Sequence, residues 1–437
     1  MVQSSIREAA ALLRLLPGPS DDKQSGPAVQ LIEEESHMIS SLPNNDSGGS
    51  GETRYRDMKR YAWPIGVLWP MLPAIGIAAA QLTGKAAFYW LAPFLTFVVI
   101  PLLDMVIGSS QKNPPESAIK ALEDDNYYRN LTFVTVPVHY LSMITGAWAV
   151  GTLDLTGLNY AGICISVGLA NGLAIVTSHE LGHKKDALER WMSKICLAVT
   201  AYGQYMIDHN RGHHRDVATP EDSSSARMGE GIYFFALREL PYTGFIRPWR
   251  LEKERLARSG KGPWTLENEF LQPALISLVF YGALIVWLGS SIIPYLLATA
   301  FGGYWFLVIA DYIEHYGLLR QKLPDGRYER VRPEHSWNTD HIASNVIYFH
   351  VQRHSDHHAF PTRSYQALRS YSDVPTMPSG YPGMIWLCHI PPLFRAVMDP
   401  LLLKQYDGDL TKINIDPGKR SKLFRRYANQ LAQPVRD

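Results

Sequence analysis

The sequence predicts an all-α integral membrane protein with six transmembrane helices and a cytoplasmic cap that carries histidine clusters. Three observations lead to this prediction: six long apolar stretches, basic residues confined to alternate connections, and nine histidines gathered in four short motifs. The average composition, 46% hydrophobic and 19% charged over 437 residues, hides the pattern because the apolar residues lie in a few blocks.

The apolar stretches have the length of membrane spans. A helix needs about 20 predominantly apolar residues to cross a hydrocarbon core of about 30 Å. Six stretches qualify, at about residues 61–82, 86–108, 131–153, 157–178, 270–290 and 292–313. Buried helices of a soluble protein would rarely be so long and so numerous. The shorter apolar run 191–206 is interpreted as a helix in or against the membrane, since a seventh span would separate the later histidines from His179 and His183.

Lysine and arginine indicate the orientation of the spans. They are frequent before the first span, after the second and after the fourth, whereas the alternate connections carry only Lys85. The positive-inside rule therefore places both termini and the large loops in the cytoplasm. The net charge of +1 gives no reason to expect a nucleic acid partner.

The chain is expected to have three parts. Residues 1–53 are predicted to be a soluble, flexible extension, because 44–51 has the composition of a linker. Residues 54–410 form the membrane domain with its cap, and 411–437 a basic tail. The tail alternates basic and apolar residues, which suits an anionic lipid surface, an acidic partner protein or an ordinary solvated helix.

Nine of the fifteen histidines lie in four motifs. His179 and His183 are four residues apart, on one helix face where both can reach one metal ion. His209 and His213 repeat this spacing. The other members are His214, His315, His354, His357 and His358. Because the first motif ends the fourth span and another follows the sixth, all four motifs are expected to meet at one membrane face.

The number of ligands points to two metal ions. A catalytic zinc takes three protein ligands, so nine imidazoles suit two ions with four or five ligands each. Imidazole binds zinc, copper, iron and nickel, and ligand type alone leaves the metal open. A site at the mouth of an apolar bundle favours iron or copper, because attack on an unactivated C–H bond needs oxygen activation.

Polar residues beside these histidines are expected to support them, since ligating imidazoles commonly donate their second N–H to a carboxylate. The candidates are Glu180, Asp208, Asp311, Glu314, His350 and Asp356. His350 is expected to be a supporting residue rather than a tenth ligand.

Two other classes share part of the pattern. HExxH also occurs in zinc metalloproteases, where Glu180 would be the general base. The run Leu-Pro-Asp-Gly at 323–326 resembles the second motif of intramembrane proteases, but it is flanked by basic residues and is predicted to be a turn. A metal transporter is disfavoured because the histidines gather at one face. The three cysteines form no CxxC pair, so no thiolate metal site is expected.

The motifs resemble those of the membrane-bound, non-haem di-iron alkane 1-monooxygenases (alkane ω-hydroxylases). HELGHK at 179–184, DHNRGHH at 208–214, DYIEHYG at 311–317 and VQRHSDHHA at 351–359 match the four family motifs. The resemblance covers about residues 55–410. This chain has Asp208 where the family usually has Glu, Asp311 for Asn and Val351 for Leu, all at non-ligand positions. Desaturases and fatty-acid hydroxylases share a looser three-box pattern and remain the alternative.

The resemblance implies terminal hydroxylation of an alkane to a primary alcohol, with O2 as co-substrate, at two iron ions held by the nine histidines in a bacterial inner membrane. It implies rubredoxin as electron donor, itself reduced by a rubredoxin reductase. A separate donor is expected because no cysteine follows Cys388. The basic residues proposed to dock it are Lys184, Lys185, Arg211, Arg215, Arg320 and Arg353.

Overall fold

The computed structural model describes residues 55–431. The predicted extension 1–53 lies outside these residues. Residues 55–431 form helices joined by turns, with four isolated β-bridges and no strand. The all-α prediction is therefore confirmed for the described part of the chain.

Six helical segments are long and apolar enough to cross a membrane. They are Trp63–Thr83, Ala86–Ile107, Asn126–Thr152, Gly157–Gly182, Leu271–Leu288 and Ser290–His315. The predicted spans are confirmed, with shifts at their ends. The third begins earlier because the carboxylate of Asp125 caps it, accepting a hydrogen bond from the N–H of Tyr127 at 2.9 Å. The fourth and sixth extend beyond the apolar stretch, so that His179 and His315 lie on span helices.

Shorter helices lie between and after the spans. One, Glu116–Glu123, precedes the third span. Those between the fourth and fifth spans are Ala187–Ala198, Tyr205–Asp208, the π-helix His209–His213, His214–Asp216, Ile232–Pro241, the π-helix Tyr242–Ile246 and Arg247–Arg258. Those after the sixth are Ile342–Ile347, His354–Ala359, Tyr381–Cys388, Pro391–Gln405 and Arg420–Leu431. As predicted, no span-length helix occupies 191–206.

The fourth span is the central helix. In its most apolar stretch of 18 residues, 83% is buried inside the protein. The corresponding share for the fifth span is 17%. It packs on the sixth span through two glycines, where a Cβ atom on Gly302 would lie 2.8 Å from the Cα of Gly168. Small residues that let backbones touch are typical of helix packing in membranes. This close pair fixes the two helices whose ends carry His179 and His315.

The described part of the basic tail is packed against the domain. Leu423 and Tyr427 are buried, and the Tyr427 hydroxyl donates to Asp399 at 2.8 Å. The Lys419 ammonium donates to the carbonyl of Gly229 at 2.6 Å. One face of the helix Arg420–Leu431 is therefore used in folding.

The segment 323–326 is a reverse turn, as predicted. The N–H of Gly326 donates to the carbonyl of Leu323 at 2.9 Å, and Gly326 has φ +83°. It lies between the bridged residues Lys322 and Tyr328. This geometry removes the support that the segment gave to an intramembrane protease.

Candidate metal centre

His209 and His213 lie at the two ends of one π-helical turn. Their rings are stacked, with centroids 5.4 Å apart and planes inclined by 23°. The structure places His209 in one group of histidines and His213 in another. This differs from the expectation that the pair faces a single ion.

The first group contains His179, His183, His209 and His357, whose ligand atoms lie within 4.8 Å of one another. The Nε2 atoms of His179 and His357 are 2.8 Å apart, and those of His183 and His209 are 3.0 Å apart. The fourth span, the π-helix and the helix His354–Ala359 thus converge on one point.

The second group contains His213, His315, His354 and His358, again within 4.8 Å. The Nε2 atom of His354 lies 3.2 Å from that of His315 and 2.9 Å from that of His358. The sixth span supplies His315. His213 comes from the same motif as His209, and His354 and His358 come from the same motif as His357.

His214 belongs to neither group of four but contacts both. Its Nε2 atom lies 3.0 Å from that of His209 and 3.1 Å from that of His357. Its ring centroid is 4.5 Å from that of His358. The nine predicted histidines therefore lie close together. They form two groups of four, and His214 lies between the groups.

The outer nitrogens of several rings have polar partners. Nδ1 of His179 and Nδ1 of His209 face the hydroxyl of Tyr205 at 3.0 and 3.3 Å. Nδ1 of His213 donates to Asp222 at 3.0 Å. Because a carboxylate only accepts, this last contact places a proton on Nδ1 of His213 and leaves its Nε2 atom free for a metal ion.

Burial favours the neutral imidazoles that metals require. It lowers the pKa well below the ordinary value, and neighbouring imidazoles lower it further, for His183, His209, His214, His354, His357 and His358. His213 differs: burial lowers the pKa of this ring, but the carboxylate of Asp222 outweighs that effect and raises it to about 9.

The donor set fits two metal ions. Unprotonated Nε2 atoms about 3 Å apart repel one another, whereas two ligands about 2.1 Å from one ion lie about 3.0 to 3.4 Å apart. The Nε2 atom of His213 is also buried and has no hydrogen-bond partner among the described residues. A metal cation in each group would remove the repulsion between the Nε2 atoms and would give Nε2 of His213 a partner.

The predicted supporting acids differ in position. Glu314 lies with an oxygen 3.3 Å from Nε2 of His354. Asp208 is ion-paired with the buried Arg247 at 3.2 Å. Asp311 faces the same small cavity as Glu314, described below.

Three other candidates have their polar atoms engaged away from the histidines. Glu180 pairs with Lys184 at 2.7 Å, and Asp356 pairs with Arg363 at 2.7 Å. His350 uses both ring nitrogens: Nε2 lies 2.6 Å from the ammonium of Lys59, and Nδ1 donates to the carbonyl of Tyr365 at 3.0 Å.

Sequence reasoning missed two residues that contact the histidines. Tyr205 stands four residues before His209, so helical spacing could have identified it. Asp222 lies in the connection before the helix Ile232–Pro241, where no regular spacing relates it to His213.

Two cavities lie on the membrane side of the histidines. An apolar cavity of about 520 Å³ lies between the fourth and sixth spans, with Trp305, Phe301 and Leu169 in its wall. A smaller one of about 30 Å³ is lined by His179, His209 and His354. Phe306 lines both cavities and marks where they approach each other.

Six apolar spans that carry two adjacent groups of four histidines define a histidine-ligated, dinuclear type of membrane metalloprotein. A family model described as fatty acid desaturase matches residues 156–387. Alkane 1-monooxygenase 1 of Alcanivorax borkumensis is 48% identical over 88% of this chain and 94% of its own length. Alkane 1-monooxygenases of Ectopseudomonas oleovorans (49% identical, 86% of this chain and 94% of the relative) and Acinetobacter baylyi (41%, 85% and 91%) are also similar. The chain belongs to the alkane 1-monooxygenase family and is an oxidoreductase, which confirms the resemblance.

Proposed function

We propose that this enzyme hydroxylates the terminal carbon of an alkane, in the reaction RH + O2 + 2 e⁻ + 2 H⁺ → ROH + H2O. The observation that carries the proposal is that histidines of both groups line a small cavity, which shares Phe306 with the apolar cavity between the fourth and sixth spans. The names of the relatives support the substrate class.

The metal is proposed to be iron, held by the nine histidines in the groups described above. Bound iron would supply the oxygen activation that breaking an unactivated C–H bond requires. The buried imidazoles contribute ligands that stay unprotonated, and Asp222 strengthens His213 as a donor by accepting its outer N–H.

The cavity walls are proposed to bind and orient the chain. Each CH2 group transferred from water contributes about 0.8 kcal/mol. Because Phe306 lines both cavities, a chain that reaches from one into the other runs past this ring, and it is proposed to enter end first and to present its terminal carbon. Among the described residues that line the apolar cavity, none is lysine or arginine. A free fatty acid would therefore find no lysine or arginine there to pair with its carboxylate, and the imidazole of His389 is the basic group in this wall.

Electrons are proposed to come from rubredoxin on the cytoplasmic side of a bacterial inner membrane. The nine histidines lie where the fourth and sixth spans end, and Lys184, Lys185 and Arg190 lie at the same end. The positive-inside rule supports a cytoplasmic position for this face.

The test is product analysis with purified enzyme in lipid vesicles, supplied with octane, O2, rubredoxin and its reductase. The expected product is 1-octanol, with two irons per chain by elemental analysis and no product from His354→Ala. An unsaturated product would favour the desaturase alternative instead. A single zinc per chain, with activity that survives removal of iron, would overturn the metal assignment.

A further inference from the structure

A basic cavity of about 150 Å³ lies between the helix Pro391–Gln405 and the tail helix Arg420–Leu431. Four cationic side chains line it, namely Arg395, Lys419, Lys422 and Arg426. The first comes from the helix Pro391–Gln405 and the other three come from the tail. Two segments of the chain therefore bring four positive charges to one place.

The cations of the basic cavity are only partly neutralised. Lys419 lies 3.6 Å from Asp416. The other three cations form no ion pair with any residue that the structure describes. The acid in the wall of the cavity is Asp399, which is fully buried. Four cations against these two carboxylates leave the cavity with an excess of positive charge, which favours an anionic ligand.

The basic cavity lies level with the end of the sixth span. Tyr316 is the first residue after that span, and its hydroxyl donates to Asp399 at 2.9 Å. The same hydroxyl accepts a hydrogen bond at 2.8 Å from the N–H of Gly229, another wall residue. Because a span ends where the hydrocarbon core meets the lipid headgroups, the cavity lies at the depth of lipid phosphates.

The surface beside the basic cavity is apolar. The helix Ile232–Pro241 begins next to it, since a Cβ atom on Gly231 would lie 4.0 Å from the Nη1 atom of Arg395. On this helix Phe234 is 72% exposed and Leu237 is 71% exposed. Large apolar side chains exposed beside cations are typical of segments that lie in a membrane interface.

We propose that the basic cavity binds the phosphate of an anionic phospholipid, whose acyl chains cover Phe234 and Leu237. A guanidinium group matches phosphate oxygens with two parallel N–H donors. Arg395 and Arg426 supply such groups from the two helices that form the cavity. One bound phosphate would therefore link the tail to the helix Pro391–Gln405.

The size of the basic cavity favours a lipid headgroup over an acidic partner protein. A folded protein meets charges that are spread over an exposed area, whereas these four cations line a space of about 150 Å³. Acyl chains also account for the exposed Phe234 and Leu237, which an acidic protein surface would leave uncovered or desolvate without compensation.

The first test uses the full-length protein, purified in detergent, and native mass spectrometry. The wild type should retain about one phosphatidylglycerol per chain, and phosphatidylcholine with the same acyl chains should be lost. Because a ligand that binds only the folded state stabilises it, phosphatidylglycerol should also raise the melting temperature more than phosphatidylcholine does. Equal retention and equal melting temperatures with the two lipids would overturn the proposal.

Two matched double variants locate the site. Lys422→Gln with Arg426→Gln removes two charges from the cavity wall, and Arg420→Gln with Arg425→Gln removes two from the same helix outside it. All four side chains are exposed, so both variants should fold. The first should bind phosphatidylglycerol about tenfold more weakly, because charge-assisted hydrogen bonds to the phosphate are lost. The second should change the affinity less than about threefold, since salt screens charges that do not touch the ligand. Equal weakening would show attraction to anionic lipid in general and would refute the cavity as the site.

Two further measurements separate the possible ligands. Inorganic phosphate should not displace phosphatidylglycerol from the wild type, because it has no acyl chains. Displacement would assign the cavity to a free anion and overturn the lipid. The variant with Lys422→Gln and Arg426→Gln should keep the KM for rubredoxin. A raised KM with unchanged lipid binding would assign the cavity to the electron donor instead. The lipid measurements need no turnover, so their result is independent of whether the enzyme hydroxylates alkanes.

Discussion

The ring of Phe306 lies on the backbone of Gly172, where a Cβ atom at position 172 would come 2.5 Å from the Cγ atom of the ring. Both residues line the small cavity, and Phe306 also lines the apolar one. Glycine at this position therefore lets an aromatic ring lie where the two cavities approach each other.

The first prediction concerns this ring. Phe306→Leu should widen the path, so that the chain can slide past its terminal carbon and subterminal alcohols appear beside the primary alcohol. The measurement is gas chromatography of products from octane. Phe301→Leu is the control, because that residue lines the apolar cavity but not the small one. Primary alcohol alone from Phe306→Leu would contradict the assigned position of the path.

The second prediction concerns Asp222, which accepts a hydrogen bond from His213. Asp222→Asn should weaken metal binding about 10- to 100-fold, because the imidazole loses the acceptor that orients it and increases its basicity. Metal content is measured against increasing chelator concentration. Asp399→Asn provides a comparison, since that buried carboxylate contacts Tyr316 and Tyr427 instead. Equal metal retention in both variants would argue against the role of Asp222.

The third prediction separates a ligand from a supporting histidine in the same segment. His354→Ala should lose metal and activity, because its Nε2 lies among the other donors. His350→Ala should retain both ions, because its ring nitrogens face Lys59 and Tyr365. Elemental analysis of the two purified variants decides the matter. Loss of metal from His350→Ala would place that residue among the ligands.

The fourth prediction is a pH dependence of stability. Burial is the main cause that lowers the pKa of Lys59, to about 7 from 10.5. The charged form is therefore penalised in the folded state, and this penalty grows as the pH falls from about 10.5 to about 7. Lys59→Met removes it. Its melting temperature should exceed that of the wild type most near pH 7, and the difference should shrink towards pH 10.5. A difference independent of pH would contradict the lowered pKa of Lys59 in the folded state.

The sequence was sufficient to predict features that depend on a single continuous segment of the chain. The spans follow from length and apolar content, and the nine histidines follow from the motifs. The division of the histidines did not follow, because it depends on how the four motifs pack against one another, which the spacing within one motif does not reveal. Asp222 was missed because the connection that carries it reaches His213 only through tertiary packing.

Two of the basic residues predicted to dock a donor are not available for it. Arg353 is 3% exposed, and its guanidinium donates to the carbonyls of Ser110 and Leu368. Arg320 is 9% exposed and donates to the carbonyl of Glu329. Sequence proximity to a histidine motif does not tell whether a side chain faces solvent or the interior.

Of the four other predicted residues, Arg211 is paired with Glu252 and Glu269, and Arg215 with Asp216. Lys184 and Lys185 lie on a smaller surface together with Arg190, which was not predicted. A polar cavity of about 290 Å³ reaches His183 and is lined by Lys184, Lys185 and Arg190, among others. Lys184 is paired with Glu180. Lys185 and Arg190 are exposed and form no ion pair within the described residues.

The last prediction is that Lys185 and Arg190 attract an acidic electron donor to this surface. Because exposed charges act mainly on the rate of encounter, turnover at limiting rubredoxin should fall as salt rises, over a Debye length of about 10 Å at 0.1 M. Replacing both residues by glutamate should raise the KM for rubredoxin about tenfold at low salt and leave kcat at saturating donor unchanged. Arg327→Glu is the control, because that side chain lies beside the exposed turn 323–326 and not in the cavity wall. Steady-state rates from low to high ionic strength provide the measurement. A flat salt profile for the wild type, or an equal rise in KM for the control, would place the docking surface elsewhere.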